Sequence, residues 1–234
     1  MKKYISKQKT VLTLASVLAL TAVFASCGKK EEAQTRPEGE DSALTVNVAE
    51  GESVVSLTEG TTLDLFAINS DGTALAKATA SVGQGGSLIG TESILTVMTD
   101  GVQLAASSPS GLWSLENCTQ PLQFSVPADQ SSVSAYQSAD LMMAPVTSVA
   151  DGSAALVMSH VMTKITVHVT DVTGNYDLSK AGLVMPGLKN AVTADLFQHT
   201  VTTVDASAGD IIPYRPTNTP HSGYPASVLC QYYG

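Results

Sequence analysis

The sequence predicts an all-β fold, a β-sandwich built from about ten short strands. Three observations point there. Beyond Asp41 the dominant pattern is alternation of apolar and polar residues, rich in Val, Ile and Thr. The pattern runs in segments of five to ten residues broken by Gly, Asp, Asn and Pro, and helical periodicity is scarce. The segments 43–49 (ALTVNVA), 53–57, 62–69 (TLDLFAIN), 93–99 (SILTVMT) and 102–106 read as strands, with turns of the hairpin type at Asp71-Gly72 and Asp100-Gly101. The second half continues with 122–126, 154–170, 183–188, 191–196 and 201–204. Residues 74–90, full of small side chains and ending near a Gln-Gly-Gly run, read as a loop.

The clearest strand signal is 156–170. Val157, Val161, Thr163, Ile165, Val167 and Val169 form one face, and Lys164, Thr166 and His168 project from the other. Met158 and Met162 fall on the polar face, which implies either a bulge or a second covered face.

The N-terminus has a different character. Lys2, Lys3, Lys7 and Lys9 precede an uncharged, mainly apolar run from Val11 to Phe24, followed by Ala25, Ser26 and Cys27. That is the three-part pattern of a secretory signal peptide. At 14 residues (11–24) the run is shorter than the roughly 20 that a spanning helix needs. Phe24-Ala25-Ser26-Cys27 resembles a lipobox, which implies cleavage before Cys27 and acylation of its thiol. The expected organisation is a lipoprotein signal peptide at 1–26, an acylated Cys27 with a flexible, charged tether at 27–41, and a β-domain at 42–234. Removing 1–26 leaves 208 residues with 12 − 4 = 8 basic and 21 acidic side chains, a formal charge of 8 − 21 = −13. Nucleic acid is excluded as a partner by that balance. Cys118 and Cys230 remain, and an oxidising compartment leaves their pairing open.

The residue types that enzymes need are absent in their usual arrangements, so the chain reads as a non-enzyme without metal or cofactor. His160, His168, His199 and His221 have no zinc-ligand spacing, and His160 and His168 would stand about 26 Å apart along one strand. There is no GxSxG elbow, and the Gly83, Gly85 and Gly86 cluster lacks dinucleotide-binding spacing. Asp64, Asp100, Asp140, Asp151 and Asp171 supply carboxylates for a glycosidase pair only if folding brings two of them close; isolated turn aspartates are the simpler reading. No Lys or Arg occurs from Ala78 through Thr163.

One stretch carries a specific likeness. Residues 126–169 contain Asp129-Gln130-Ser131, then Tyr136, then Ser138 to Ala144 (SADLMMA), then Leu156 to Val169 with His160, Met162 and Lys164 in an L-x-x-x-H-x-M-x-K-I-x-V-x-V pattern. This resembles the fimbrillin-like proteins, fimbrial subunits and surface lipoproteins of anaerobic Gram-negative bacteria, and 187–202 resembles their following hairpin. The resemblance implies a transthyretin-like antiparallel sandwich, corresponding to the family's N-terminal domain, with the second domain absent. It implies a structural, anchor or accessory subunit of a surface fimbria, lipid-anchored in the outer membrane, supporting adhesion and pairing with itself or other subunits by strand exchange. The strand at 43–49 would be the exchanged element, with Leu44, Val46 and Val48 on its inward face. The alternative is a monomeric surface lipoprotein that binds a host protein or glycan through its loops.

If Cys27 carries the lipid, Cys27→Ala should abolish metabolic labelling with a fatty-acid analogue and release the chain from the membrane fraction. A variant as tightly bound as the parent would refute lipid attachment.

Overall fold

The computed structural model describes residues 44–50, 53–173, 175, 177–178, 182–204, 208–216 and 227–233. Fifteen strands and two short helices occur among them, arranged around one eight-stranded sheet. Its strand order is β2 (Ser53–Ser56), β1 (Leu44–Glu50), β9 (Ala154–His160), β8 (Met142–Ser148), β6 (Gln103–Ser108), β3 (Thr62–Ile68), β4 (Ala74–Val82) and β5 (Leu88–Ile89). Every neighbour pair is antiparallel except β1 and β9, which run parallel with Val46 opposite Leu156. The sheet is therefore mixed at one place. β1 reaches β9 from the start of the chain and not through a hairpin, so nothing in the connection imposes an antiparallel direction.

Both faces of the central strands are covered. In β3 the alternate residues Leu63, Leu65 and Ala67 enter a first core with Val46, Leu104 and Leu156, closed by α1 (Glu92–Leu95). Phe66 and Ile68 point the other way, into a second core with Trp113, Phe124, Leu141 and Met143. That side is covered by three smaller antiparallel sheets. They are β10 (Lys164–Thr170) with β15 (Ser227–Tyr233), β11 (Met185–Lys189) with β14 (Ala208–Ile211), and β12 (Ala191–Asp195) between β13 (Thr200–Thr203) and β7 (Leu122–Ser125). Two covered faces explain why β3 reads as an almost unbroken apolar run.

One charge interrupts that run. Asp64 is completely buried, and Lys77 reaches diagonally from β4 to place its Nζ 2.9 Å from Oδ2. Thr79 Oγ1 donates to Oδ1 at 2.7 Å, and the Gly111 N–H donates to Oδ2 at 2.6 Å. The Lys77 ammonium also donates to the Trp113 carbonyl at 2.7 Å and lies over the Phe66 ring. The pair thus ties two central strands to the loop that delivers the single tryptophan into the second core.

Several local readings of the sequence are corrected. Residues 74–82 form β4, the longest strand, where a loop is expected from composition. Ala76, Ala78, Ala80 and Val82 alternate inward, but alanine carries no β-propensity and hides the alternation. The remainder of that segment does turn, through a 3-10 helix at Gln84–Gly86. Residues 93–99 contain α1 and a following turn, not a strand, because Ile94 and Met98 lie one helical turn apart and both bury in the first core. The single long strand at 156–170 is two strands in different sheets. In β9 the even positions Leu156 and Met158 are buried and Val157 is not; in β10 the odd positions Ile165 and Val167 turn to the second core. Met158 and Met162 occupy opposite cores because the chain leaves one sheet for another between His160 and Lys164, which neither a bulge nor a second covered face on one strand describes. His160 and His168 accordingly belong to separate strands, and Cys118 is a free buried thiol whose pKa is raised by that burial. The Asp71-Gly72 turn does close the β3–β4 hairpin, with Gly72 at φ +86°, while Asp100-Gly101 links the α1 turn to β6.

Asp64→Ala leaves the Lys77 ammonium without its counter-ion. Breaking a buried pair costs about 3–5 kcal/mol, and the partial exposure of Lys77 sets the expected loss near the lower end, at about 3 kcal/mol. Urea unfolding of the variant measures this; a loss below about 1 kcal/mol would mean that the pair does not organise the core.

Candidate functional site

β1 carries the residues named for assembly. Val46 and Val48 are buried in the first core, Leu44 is half-buried against it, and Thr45 faces outward. The alternation expected for this strand is present, since residues two apart share a face. On one side β1 is bonded to β9; on the other only the four-residue β2 covers it, and all four β2 residues are exposed. Cys27 and the segment around it lie outside the described residues.

A cleft of about 870 Å³ opens at the Glu50 end of β1. Val48, Leu57, Met142 and Met162 supply apolar lining, all of them buried residues. Opposite β1 stands α2 (Val133–Ser138), started by Ser132, whose Oγ accepts from the Ala135 N–H at 3.1 Å.

Between these walls lies a polar network that the strand pattern does not reveal. Asp140 accepts at both oxygens: His160 Nδ1 is 2.7 Å from Oδ1, and the Tyr233 hydroxyl donates to Oδ2 at 2.9 Å. Gln130 clamps the backbone of the same tyrosine. Its Nε2 donates to the Tyr233 carbonyl and its Oε1 accepts from the Tyr233 N–H, both at 2.9 Å. Gln130 is fully buried, so this pairing satisfies an amide that would otherwise cost free energy to bury. Tyr136 packs between Tyr214 and Tyr233, with ring centroids at 5.0 and 5.1 Å. Burial, reinforced by the Asp140 carboxylate, pushes the Tyr233 phenol above its ordinary pKa.

Two of the other carboxylates weighed as a glycosidase pair are engaged elsewhere. Asp64 is used by Lys77, and Asp171 caps its own turn by accepting from the Thr173 N–H at 2.8 Å. Among the described residues no group of three His, Cys, Asp or Glu side chains is placed to hold a metal ion. The sequence did contain a signal for the network, since Gln130, Tyr136, Asp140 and His160 are the polar members of the 126–169 motif. Strand periodicity could not show that they converge on Tyr233, about a hundred residues away in the chain.

The model of the family described as fimbrillin-like matches residues 45–232. The chain belongs to the fimbrillin-like family. Solved structures agree in fold. A candidate cell adhesion protein from Bacteroides ovatus superposes with a TM-score of 0.55 at 14% identity, over 81% of this chain and 76% of that one. A candidate adhesin from Bacteroides ovatus gives a TM-score of 0.50 at 10% identity, over 81% and 67%. No curated protein matches the chain. Membership of the fimbrillin-like family implies a fimbrial role at the cell surface. Within this fimbrillin-like chain, the family motif places its polar side chains around the end of β15.

Tyr233→Phe should lose about 2 kcal/mol near pH 8, the contribution of a hydrogen bond to a charged acceptor. The folded-state pKa is raised above the ordinary phenol value of 10.0, so this group's contribution is complete below pH 10 and falls as the unfolded phenol ionises. At pH 11 the gap between parent and variant should narrow by about 1.4 kcal/mol. Urea midpoints at the two pH values test it; a gap that widens would reverse the sign.

Proposed function

We propose that this fimbrillin-like chain is a surface lipoprotein, anchored through Cys27 and a tether at 27–41, whose domain at 42–234 serves as a structural, anchor or accessory subunit of a fimbria. The domain corresponds to the family's N-terminal sandwich, and it joins other subunits by exchange of β1. The observation that carries this reading is the seating of β1. It bonds β9 along five register pairs, fills the first core with two buried valines, and is held from outside by β2 alone. Withdrawing it would leave unpaired backbone groups along β9 and two open apolar pockets, the requirements for acceptance of a foreign strand. Parallel pairing adds a further condition. A replacement strand must enter in the direction of β1 to restore the same bonds, which gives the joint between subunits a polarity.

The test is a truncated chain that begins after Ala49. With an added peptide spanning residues 42–51 it should bind one peptide and remain soluble and monomeric by size-exclusion chromatography; without the peptide, and with no β1 of its own to donate, it should lose solubility. Amorphous aggregation in both conditions would refute strand exchange at β1.

A further inference from the structure

The cleft at the end of β1 contains more polar chemistry than the strand packing uses. Asp140 and Gln130 are committed to holding Tyr233. Glu50, Glu59 and Lys164 line the same cleft, are exposed, and form no ion pair among the described residues. His160 has Nδ1 engaged by Asp140, which orients the ring and leaves Nε2 as its remaining polar atom. Hydroxyls of Ser56, Thr58, Thr62 and Ser134 complete the lining.

Each class of ligand makes a different demand on such a cleft. An extended peptide adding to a sheet needs free backbone groups. Here the wall at 58–62 has spent several of its own: the Thr61 N–H donates to Thr58, the Gly60 N–H donates to the Val82 carbonyl, and the Thr61 carbonyl accepts from Val82. A polyanion needs a basic field, but Lys164 shares the lining with two carboxylates, Glu50 and Glu59. A neutral polyhydroxylated ligand matches what is present. Its hydroxyls donate to Glu50 and Glu59 and exchange hydrogen bonds with the Ser and Thr side chains, while its C–H faces meet the Val48, Leu57 and Met142 floor. The volume of about 870 Å³ lies within the roughly 300–1,000 Å³ of small-molecule sites. Mixed apolar lining with a few convergent polar groups is the usual composition of such sites.

We infer that the cleft between β1, the 56–62 loop and α2 is a binding site for neutral oligosaccharides, with Glu50, Glu59 and His160 as the polar contacts that set orientation. This is a function separate from subunit joining, and it requires β1 to be seated, since Val48 and Glu50 of β1 line the cleft.

The experiment is saturation-transfer NMR on the full chain purified in detergent, with maltotriose, cellotriose, chitotriose and lacto-N-tetraose as neutral probes and sialyllactose as the charged comparison. At least one neutral probe should receive saturation. Ser134→Trp fills the cleft from the exposed side of α2 and should abolish the signal, whereas Thr202→Trp, on β13 outside the cleft, should leave it unchanged. Glu59→Lys tests the same site without adding bulk and should weaken binding at least fivefold. The inference is overturned if no neutral probe receives saturation, if only sialyllactose does, or if the Glu59→Lys variant binds as the parent does.

Discussion

A carboxylate at the centre of a sheet that is covered on both faces must be neutralised where it stands, and the arrangement around Asp64 follows from that constraint. Water cannot reach it, so three donors converge: Lys77 and Thr79 from β4, and the Gly111 amide from the loop beyond β6, with Lys77 itself held by the Trp113 carbonyl and the Phe66 ring. A buried ion pair adds little net stability compared with apolar residues of equal size, but its partners cannot be separated cheaply. The consequence is specificity of register. β3 and β4 cannot slip against one another, and the 109–113 loop cannot leave, without stranding a charge. The loop in turn sets Trp113 into the second core, against which the small C-terminal sheets are laid down.

A second constraint acts at the other end of the fold. β15 pairs with β10 through seven register positions, and the Gln130 clamp, the Asp140 acceptor and the Tyr136 ring all meet its Tyr233. Polar side chains separated in the motif by strands and loops thus act as one unit. The motif is a description of how the final described strand is held, and the cleft is the space left between that unit and the end of β1. Elements from the two extremes of the domain therefore share one surface.

Alternation was readable in the sequence wherever the inward residues were large and one face was exposed, as in β1 with Val46 and Val48, or where a turn was marked by Asp71-Gly72. It failed for physical reasons at particular places. In β4 the inward residues are alanines, which pack well beneath α1 but leave no hydrophobic contrast. Between β9 and β10 the chain passes from one sheet to another, and the buried parity changes from even to odd, so a single period drawn through 156–170 is right for only half of it. In α1, a four-residue helix is too short for its period to outweigh a β-branched composition. The site residues were visible as a motif but not as a site. Gln130, Asp140, His160 and Tyr233 come together only through the packing of β15, and an isolated aspartate in sequence looks the same whether it caps a turn or receives a tyrosine hydroxyl.

The parallel pairing of β1 with β9 also has a mechanical meaning. A pull on the chain segment that precedes Leu44 acts along the axis of β1, so the bonds to β9 on one side and to β2 on the other are strained together and must fail together. A strand tugged at right angles would instead peel one bond at a time. Val46 and Val48, seated in the first core, resist the same sliding motion. Tension applied at Leu44 along β1 is therefore borne as shear on the bonds to β9 at 44–48 and to β2 at 47–50.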